Sequence, residues 1–200
     1  SEMCIRDRIK TPKNKYIMID TAHGIFKGSK ATFSQANAIM GKYLKDKGIK
    51  ELELMILTHF DADHSGGAVD IMKTANVKSL VLSKDKDDSK TTKAIMEYVK
   101  ENNVNTTDAK NNEVVHSEKG LTLTTFTPDF THNKNDNDNS TISVLSFGDF
   151  DMLFMADGGV RSFNKIKKDL NKTEIEVLKS GHHGAKNTVT SKMLNTCLLY

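Results

Sequence analysis

Apolar positions along the chain change period several times, and each change predicts an element. Tyr16-Ile17-Met18-Ile19 is a continuous apolar run closed by Asp20, the pattern of a buried strand that ends in a carboxylate. Ala36, Ile39, Met40, Tyr43 and Leu44 then recur at helical spacing, with Ser34 placed to cap the helix and Gly48 to stop it. Residues 52–58 read as a second buried strand. Ala68, Ile71, Met72 and Ala75 return to the helical period, residues 79–83 form a short strand, and Ser89 opens a helix through Ile95, Tyr98 and Val99. Beyond about residue 112 the texture turns to strands, at 113–116 and 121–127. Residues 143–147 and 150–155 flank Gly148-Asp149, a two-residue hairpin signal. A short helix over 164–170 precedes a strand over 175–178. Strand–helix units followed by hairpins predict an α/β protein with mixed sheets.

Composition narrows the picture without changing it. Two hundred residues, 37% apolar and 28% charged, suit one water-soluble domain. No apolar run approaches the roughly 18 residues that span a bilayer, and residues 1–10 lack the apolar stretch of a signal peptide. Residues 1–7 and 197–200 resemble translated sequencing adaptor, so the natural domain is expected over 8–196, cut at both ends. The two cysteines, Cys4 and Cys197, both fall in those end segments. No disulfide framework, thiolate nucleophile or zinc–thiolate site is therefore expected. Net charge is only +3, but Arg161, Lys165, Lys167, Lys168, Lys172, Lys179 and Lys186 outnumber Asp169, Glu174 and Glu176 between them. That excess suits an anionic substrate, and solvated helix charge is its plainer explanation.

The chemistry concentrates in residues 58–67, THFDADHSGG. Two imidazoles and two carboxylates stand within six positions, directly after the apolar run Leu54-Met55-Ile56-Leu57, and repulsion between Asp61 and Asp63 must be offset. Histidine and aspartate are the usual ligands of hydrolytic divalent metals, whereas a merely solvated acidic loop needs no histidine. His59 and Asp61 stand two apart, so in an extended segment they point the same way. Asp63 and His64 are adjacent and expected to diverge, which would let one four-ligand set serve two ions. Gly66 and Gly67 are expected to turn the backbone sharply into a helix whose N-terminus favours phosphate. Residues 131–139 form a polar loop and not an EF-hand, because the sixth position from Asp136 is Thr141 and the twelfth is Phe147.

His59-Phe60-Asp61-Ala62-Asp63-His64 resembles the H-x-[HD]-x-D-H signature of metallo-β-lactamase-fold hydrolases. The aspartate at the second ligand position resembles the hydrolase domain of late-competence DNA-uptake proteins of the ComEC type. Further stretches resemble that subfamily in order: residues 17–21, Asn139-Ser140 before a strand, Phe154-Met155-Ala156-Asp157, and Leu178-Lys179-Ser180-Gly181-His182-His183-Gly184-Ala185-Lys186-Asn187. Two positions depart from the family pattern, Ala156 for a glycine and Ala185 for a serine. Neither removes a ligand, though Ala185 would lose a phosphate contact. His116 lies where many relatives carry another ligand, but the ComEC-type pattern generally lacks it.

The resemblance implies a four-layer αββα sandwich with two mixed sheets, here truncated at both ends, and two divalent ions, Mn or Zn. It implies that His59, Asp61 and Asp157 hold one ion, and that Asp63, His64, Asp157 and His182 hold the other. Asp157 bridges them, and which of His182 and His183 is the ligand stays open. Two ions about 3.5–4 Å apart can share and acidify a water. Asp61 in place of a histidine hardens its site toward manganese. Asp63 and His183 are the catalytic candidates, His183 as donor to the substrate phosphate or leaving oxygen, and Lys179, Lys186 and Asn187 would contact substrate. His23 could line the cleft or lie on a surface loop, His132 is expected to be solvated, and Asp20 either buttresses the metals or caps a turn.

The implied activity is metal-dependent phosphodiester hydrolysis of DNA. The alternatives are hydrolysis of a small ester, lactone or lactam, and a non-catalytic nucleic-acid-binding module. A flavodiiron-type oxidoreductase would need a flavin domain for which this chain has no room. No membrane contact is expected within the chain. In ComEC-type proteins a membrane channel domain precedes this one, which would put it outside the cytoplasm.

Overall fold

The computed structural model describes residues 7–27, 30–34, 36–130, 136–170, 174–186 and 188–197. The chain divides into two compact units, Ser1–Asp108 and Ala109–Tyr200, each built on a mixed five-stranded sheet with its own core.

In the first unit, β1 (Asp7–Lys10) pairs antiparallel with β2 (Tyr16–Ile19). A small hairpin of β3 (Gly24–Lys27) and β4 (Lys30–Ser34) follows. The predicted helix then begins as a π-helical stretch, Ala36–Gly41, and continues as α1 (Lys42–Asp46). Ser34 therefore lies at the end of a strand. The widened π turn shifts the helical phase, and Ile39 faces water while Met40 and Leu44 stay buried. Gly48, at φ +65°, ends the helix as expected.

The strand predicted over 52–58 is two pieces, β5 (Glu51–Leu52) and β6 (Leu54–Leu57). Two short helices follow, α2 (Ala62–Ser65) and α3 (Ala68–Thr74), then β7 (Asn76–Val77) and β8 (Leu80–Leu82). Helix α4 (Lys90–Glu101) starts at Ser89, whose Oγ accepts from the Thr92 amide at 3.1 Å, and β9 (Thr106–Asp108) closes the unit. The sheet order is β1-β2-β6-β8-β9, parallel from β2 onward. All four residues of β6 are buried, as a central parallel strand covered on both faces requires.

In the second unit, β10 (Glu113–Glu118), β11 (Leu121–Phe126), β12 (Ile142–Phe147) and β13 (Phe150–Phe154) form an antiparallel meander. Gly148, at φ +59°, makes the predicted hairpin turn. Helix α5 (Val160–Ile166) starts four residues before the expected helix over 164–170. Strand β14 (Val177–Lys179) adds parallel to β13, and α6 (Ser191–Cys197) packs Met193 and Cys197 into the core with Phe163 and Ile166. Burial pushes the Cys197 thiol up to about 11. Among the described residues no helix is long and apolar enough to cross a membrane.

Candidate metal centre

Each unit presents functional side chains just past the C-terminal ends of two neighbouring parallel strands, where side chains leave the sheet without disturbing it. In the first unit these strands are β2 and β6, paired Ile17 to Leu54 and Ile19 to Ile56. The next residues, Asp20 and Thr58, are thereby brought side by side, with the Asp20 amide donating to the Ile56 carbonyl at 2.9 Å.

Asp20 is buried, with φ +58°, and its carboxylate organises the motif. Oδ1 accepts from the Thr58 amide at 2.9 Å, and Oδ2 accepts from the Thr58 hydroxyl at 2.7 Å and from His64 Nδ1 at 2.8 Å. The Thr58 hydroxyl gives its single proton to Asp20, so at 3.1 Å it can only accept from His59 Nδ1. One carboxylate thus sets both tautomers, directly for His64 and through Thr58 for His59. In each ring the proton sits on Nδ1 and the lone pair on Nε2, the form that ligates metal. Burial pushes the Asp20 carboxyl up, but the electrostatic attraction and hydrogen bond of His64, the attraction of His59 and the Thr58 amide outweigh it and hold it below its ordinary value. Asp20 is therefore a buttress and not a turn cap.

The loop after β2 grips the motif from behind. The amides of Thr21 and Ala22 both donate to the His64 carbonyl, at 2.7 and 3.1 Å. Ser65 Oγ donates to the His59 carbonyl. His23 lies half-buried in the same loop.

Asp63 and His64 do not diverge as adjacent residues in an extended loop would. They occupy the single turn α2, and His64 Nε2 stands 3.9 Å from Asp63 Oδ2, while His59 Nε2 stands 3.7 Å from Asp61 Oδ2. Gly66 and Gly67 take ordinary negative φ values and join α2 to α3, so no sharp glycine turn is made there. Helix α3 runs seven residues, with Gly67 at its N-cap.

In the second unit β13 and β14 run parallel, and Asp157 and His182 follow their ends. The His182 amide donates to the Ala156 carbonyl at 3.0 Å. Gly181 lies so close to Gly158 that a Cβ would sit 2.0 Å from the Gly158 carbonyl oxygen, so only glycine lets the two loops meet. His182 Nε2 lies 3.9 Å from Asp157 Oδ2 and His183 Nε2 lies 3.9 Å from Asp157 Oδ1. The two histidines flank one carboxylate equally, and both have positive φ, +46° and +54°. Asn137, in a 3₁₀ turn over Asp136–Asn139, approaches His182 Nδ1 at 3.5 Å. No sequence signal pointed to Asn137.

These spacings fit metal binding. Two donors on one ion lie no further apart than about 4.2 Å, twice a bond of about 2.1 Å. The imidazoles of His59 and His64 are 2% and 3% exposed, whereas the carboxylates of Asp61 and Asp63 are 46% and 43% exposed. The histidines are fixed in the interior, and the aspartates are open to solvent. Lys179 ends β14 half-buried, and Lys186 is exposed on the following loop. Asn187 and His132 lie outside the described residues. His116 pairs with Glu118 on the same strand at 3.6 Å.

The metallo-β-lactamase superfamily model matches residues 9–193. The chain belongs to the metallo-β-lactamase superfamily. Its two mixed sheets with helices are those of that fold, and the family consists largely of metal-dependent hydrolases. ComE operon protein 3 of Bacillus subtilis (strain 168) is 26% identical over 162 residues, 81% of this chain and 21% of that protein. The chain thus spans about a fifth of that relative's length. Two solved structures show the same fold. Igni18, a metallo hydrolase of Ignicoccus hospitalis KIN4/I, gives a TM-score of 0.52 at 14% identity, covering 90% of this chain and 69% of its own. CmlA, a diiron β-hydroxylase of Streptomyces venezuelae, gives 0.54 at 12% identity, covering 82% of this chain and 30% of its own.

Proposed function

We propose that this chain is a binuclear metal-dependent phosphodiesterase whose substrate is DNA. The reading rests above all on the motif after β6, which yields two imidazole–carboxylate pairs whose imidazole Nε2 lone pairs are set by the Asp20–Thr58 relay. Each pair would hold one ion, His59 and Asp61 the first, Asp63 and His64 the second, with Asp157 as a common ligand and His182 as a further ligand of the second. When bound, such a pair of ions lowers the pKa of a shared water toward neutrality and polarises the phosphoryl oxygen. Asp61 adds a hard anionic donor where an imidazole would be softer, which favours manganese over zinc.

The chain's own residues supply the rest. The exposed Asp63 carboxylate orients the attacking water. His183, held beside Asp157, donates a proton to the leaving oxygen. Lys179 and Lys186, with Asn187, hold the flanking phosphates. Kinship with ComE operon protein 3 and the basic run over residues 161–186 support a polyanionic substrate.

The experiment is a comparison of nicked plasmid, bis-p-nitrophenyl phosphate and a chromogenic lactam with manganese and with zinc. Cleavage of both phosphodiesters, abolished in a folded Asp63→Ala protein, is expected. Turnover of the lactam alone would replace this reading with small-ester or lactam hydrolysis.

A further inference from the structure

The exposed face of α5 carries chemistry that the Asp157 half-site does not use. Ser162, Phe163 and Ile166 point into the core, while Arg161, Asn164 and Lys165 face water, with Lys168 exposed just beyond. The half-buried ring of Phe130 lies against this face and not beneath it. Arg161 Cζ stands 5.0 Å and Lys165 Nζ 5.1 Å from the ring centroid, both within cation–π range.

The patch is tied to the half-site through one short turn. The Phe130 amide donates to Asn139 Oδ1 at 3.1 Å. Asp138 accepts from Arg161 at 2.5 Å, and the Asp138 carbonyl accepts from Ser162 Oγ at 2.8 Å. The preceding residue, Asn137, is the one that approaches His182. Neighbouring residues of a single turn therefore touch the cation–aromatic patch and the candidate ligand. Asp138 offsets the charge of Arg161, whereas Lys165 and Lys168 form no ion pair among the described residues, so the patch keeps net positive charge.

We propose that Phe130, Arg161 and Lys165 form a platform for single-stranded nucleic acid, which leads the strand toward Asp157 and His182. The proposal rests on the phosphodiesterase reading. Bases stack on the phenyl ring and the guanidinium plane, and phosphates meet Lys165 and Lys168. A flat π surface set among cations matches a polymer that alternates base and phosphate. Duplex DNA hides its base faces, and an acidic peptide would use the cations but not the ring.

The test is fluorescence anisotropy of a labelled oligothymidylate of about 16 nucleotides, bound to the full chain in EDTA and in the Asp63→Ala background. Phe130→Leu, which keeps an apolar side chain but removes the π face, is expected to weaken single-strand binding about fivefold or more while duplex binding stays within twofold. Lys165→Gln should weaken it too and flatten the slope of log affinity against log salt by about 0.7. Both substitutions in the otherwise native chain should leave bis-p-nitrophenyl phosphate hydrolysis unchanged. If Phe130→Leu fails to fold, the surface double variant Lys165→Gln/Lys168→Gln decides by the salt slope. Unchanged oligothymidylate affinity in both variants, or an equal loss for duplex, overturns the platform. Strand binding that depends on Phe130 in a chain that hydrolyses no phosphodiester upholds the platform and overturns the function.

Discussion

Replacing Asp20 by Asn isolates the relay that sets the motif's histidines. The backbone there has φ +58°, a conformation that asparagine tolerates as well as aspartate does, so the fold should survive. The amide oxygen can keep the Thr58 amide bond, but an NH₂ then faces two groups that donate in the native arrangement, the Thr58 hydroxyl and His64 Nδ1. Thr58 can rotate and accept. His64 can accept only by moving its proton to Nε2, which removes the lone pair that would bind metal. Each charge-assisted bond contributes about 1.5–3 kcal/mol, so losing the one to His64 costs about tenfold to hundredfold in affinity, in line with second-sphere substitutions elsewhere. The assay is chelator-competition titration of Mn²⁺, paired with imidazole ¹⁵N NMR of the apo-protein. The expected result is weaker binding by that factor with His64 shifted toward the Nε2-protonated tautomer. Affinity within twofold of wild type and an unshifted His64 would refute the relay.

Other consequences follow from strain, packing and charge. Ala156 holds φ +50°, where its Cβ is strained, so Ala156→Gly should raise stability by about 0.5–1 kcal/mol despite the added freedom of the unfolded chain, read from urea midpoints. Gly181→Ala would drive a Cβ into the Gly158 carbonyl and should cost at least about 3 kcal/mol, seen as a large drop in melting temperature. Glu53 is held below its ordinary 4.5 by hydrogen bonds first from Lys15 and then from Lys78, against a burial effect that raises it. A depressed carboxylate stabilises the fold above the unfolded value and loses that contribution as pH falls through the folded one. Wild type should therefore exceed Glu53→Gln in stability at neutral pH, and in acid unfolding their curves should converge as pH falls below 4.5 and through the folded value.

Much of the fold was legible where one local pattern decides the outcome. The buried runs of β2 and β6, the helical spacing of α3, the Ser89 cap and the Gly148-Asp149 turn are local signals, and each forms as expected. The helix after β4 departs from its apolar spacing because a π turn changes the period, which exposes Ile39 although its spacing looks like core. Helix α5 starts at Val160, four residues before the expected start, with Gly159 as its cap. The ligand motifs were visible because each packs its donors into consecutive residues. Their supports were not, because Asp20 meets Thr58 only through the parallel register of β2 on β6, and Asn137 meets His182 across 45 residues.

The proposed function requires both half-sites to serve one pair of ions. Its most direct measurement is an anomalous-difference map from crystals of the full chain grown with manganese. Two peaks about 3.5–4 Å apart are expected, one against His59 and Asp61, the other against Asp63 and His64, with Asp157 between them. A single ion, or ions that leave Asp157 or both members of the His182–His183 pair uncoordinated, would contradict it.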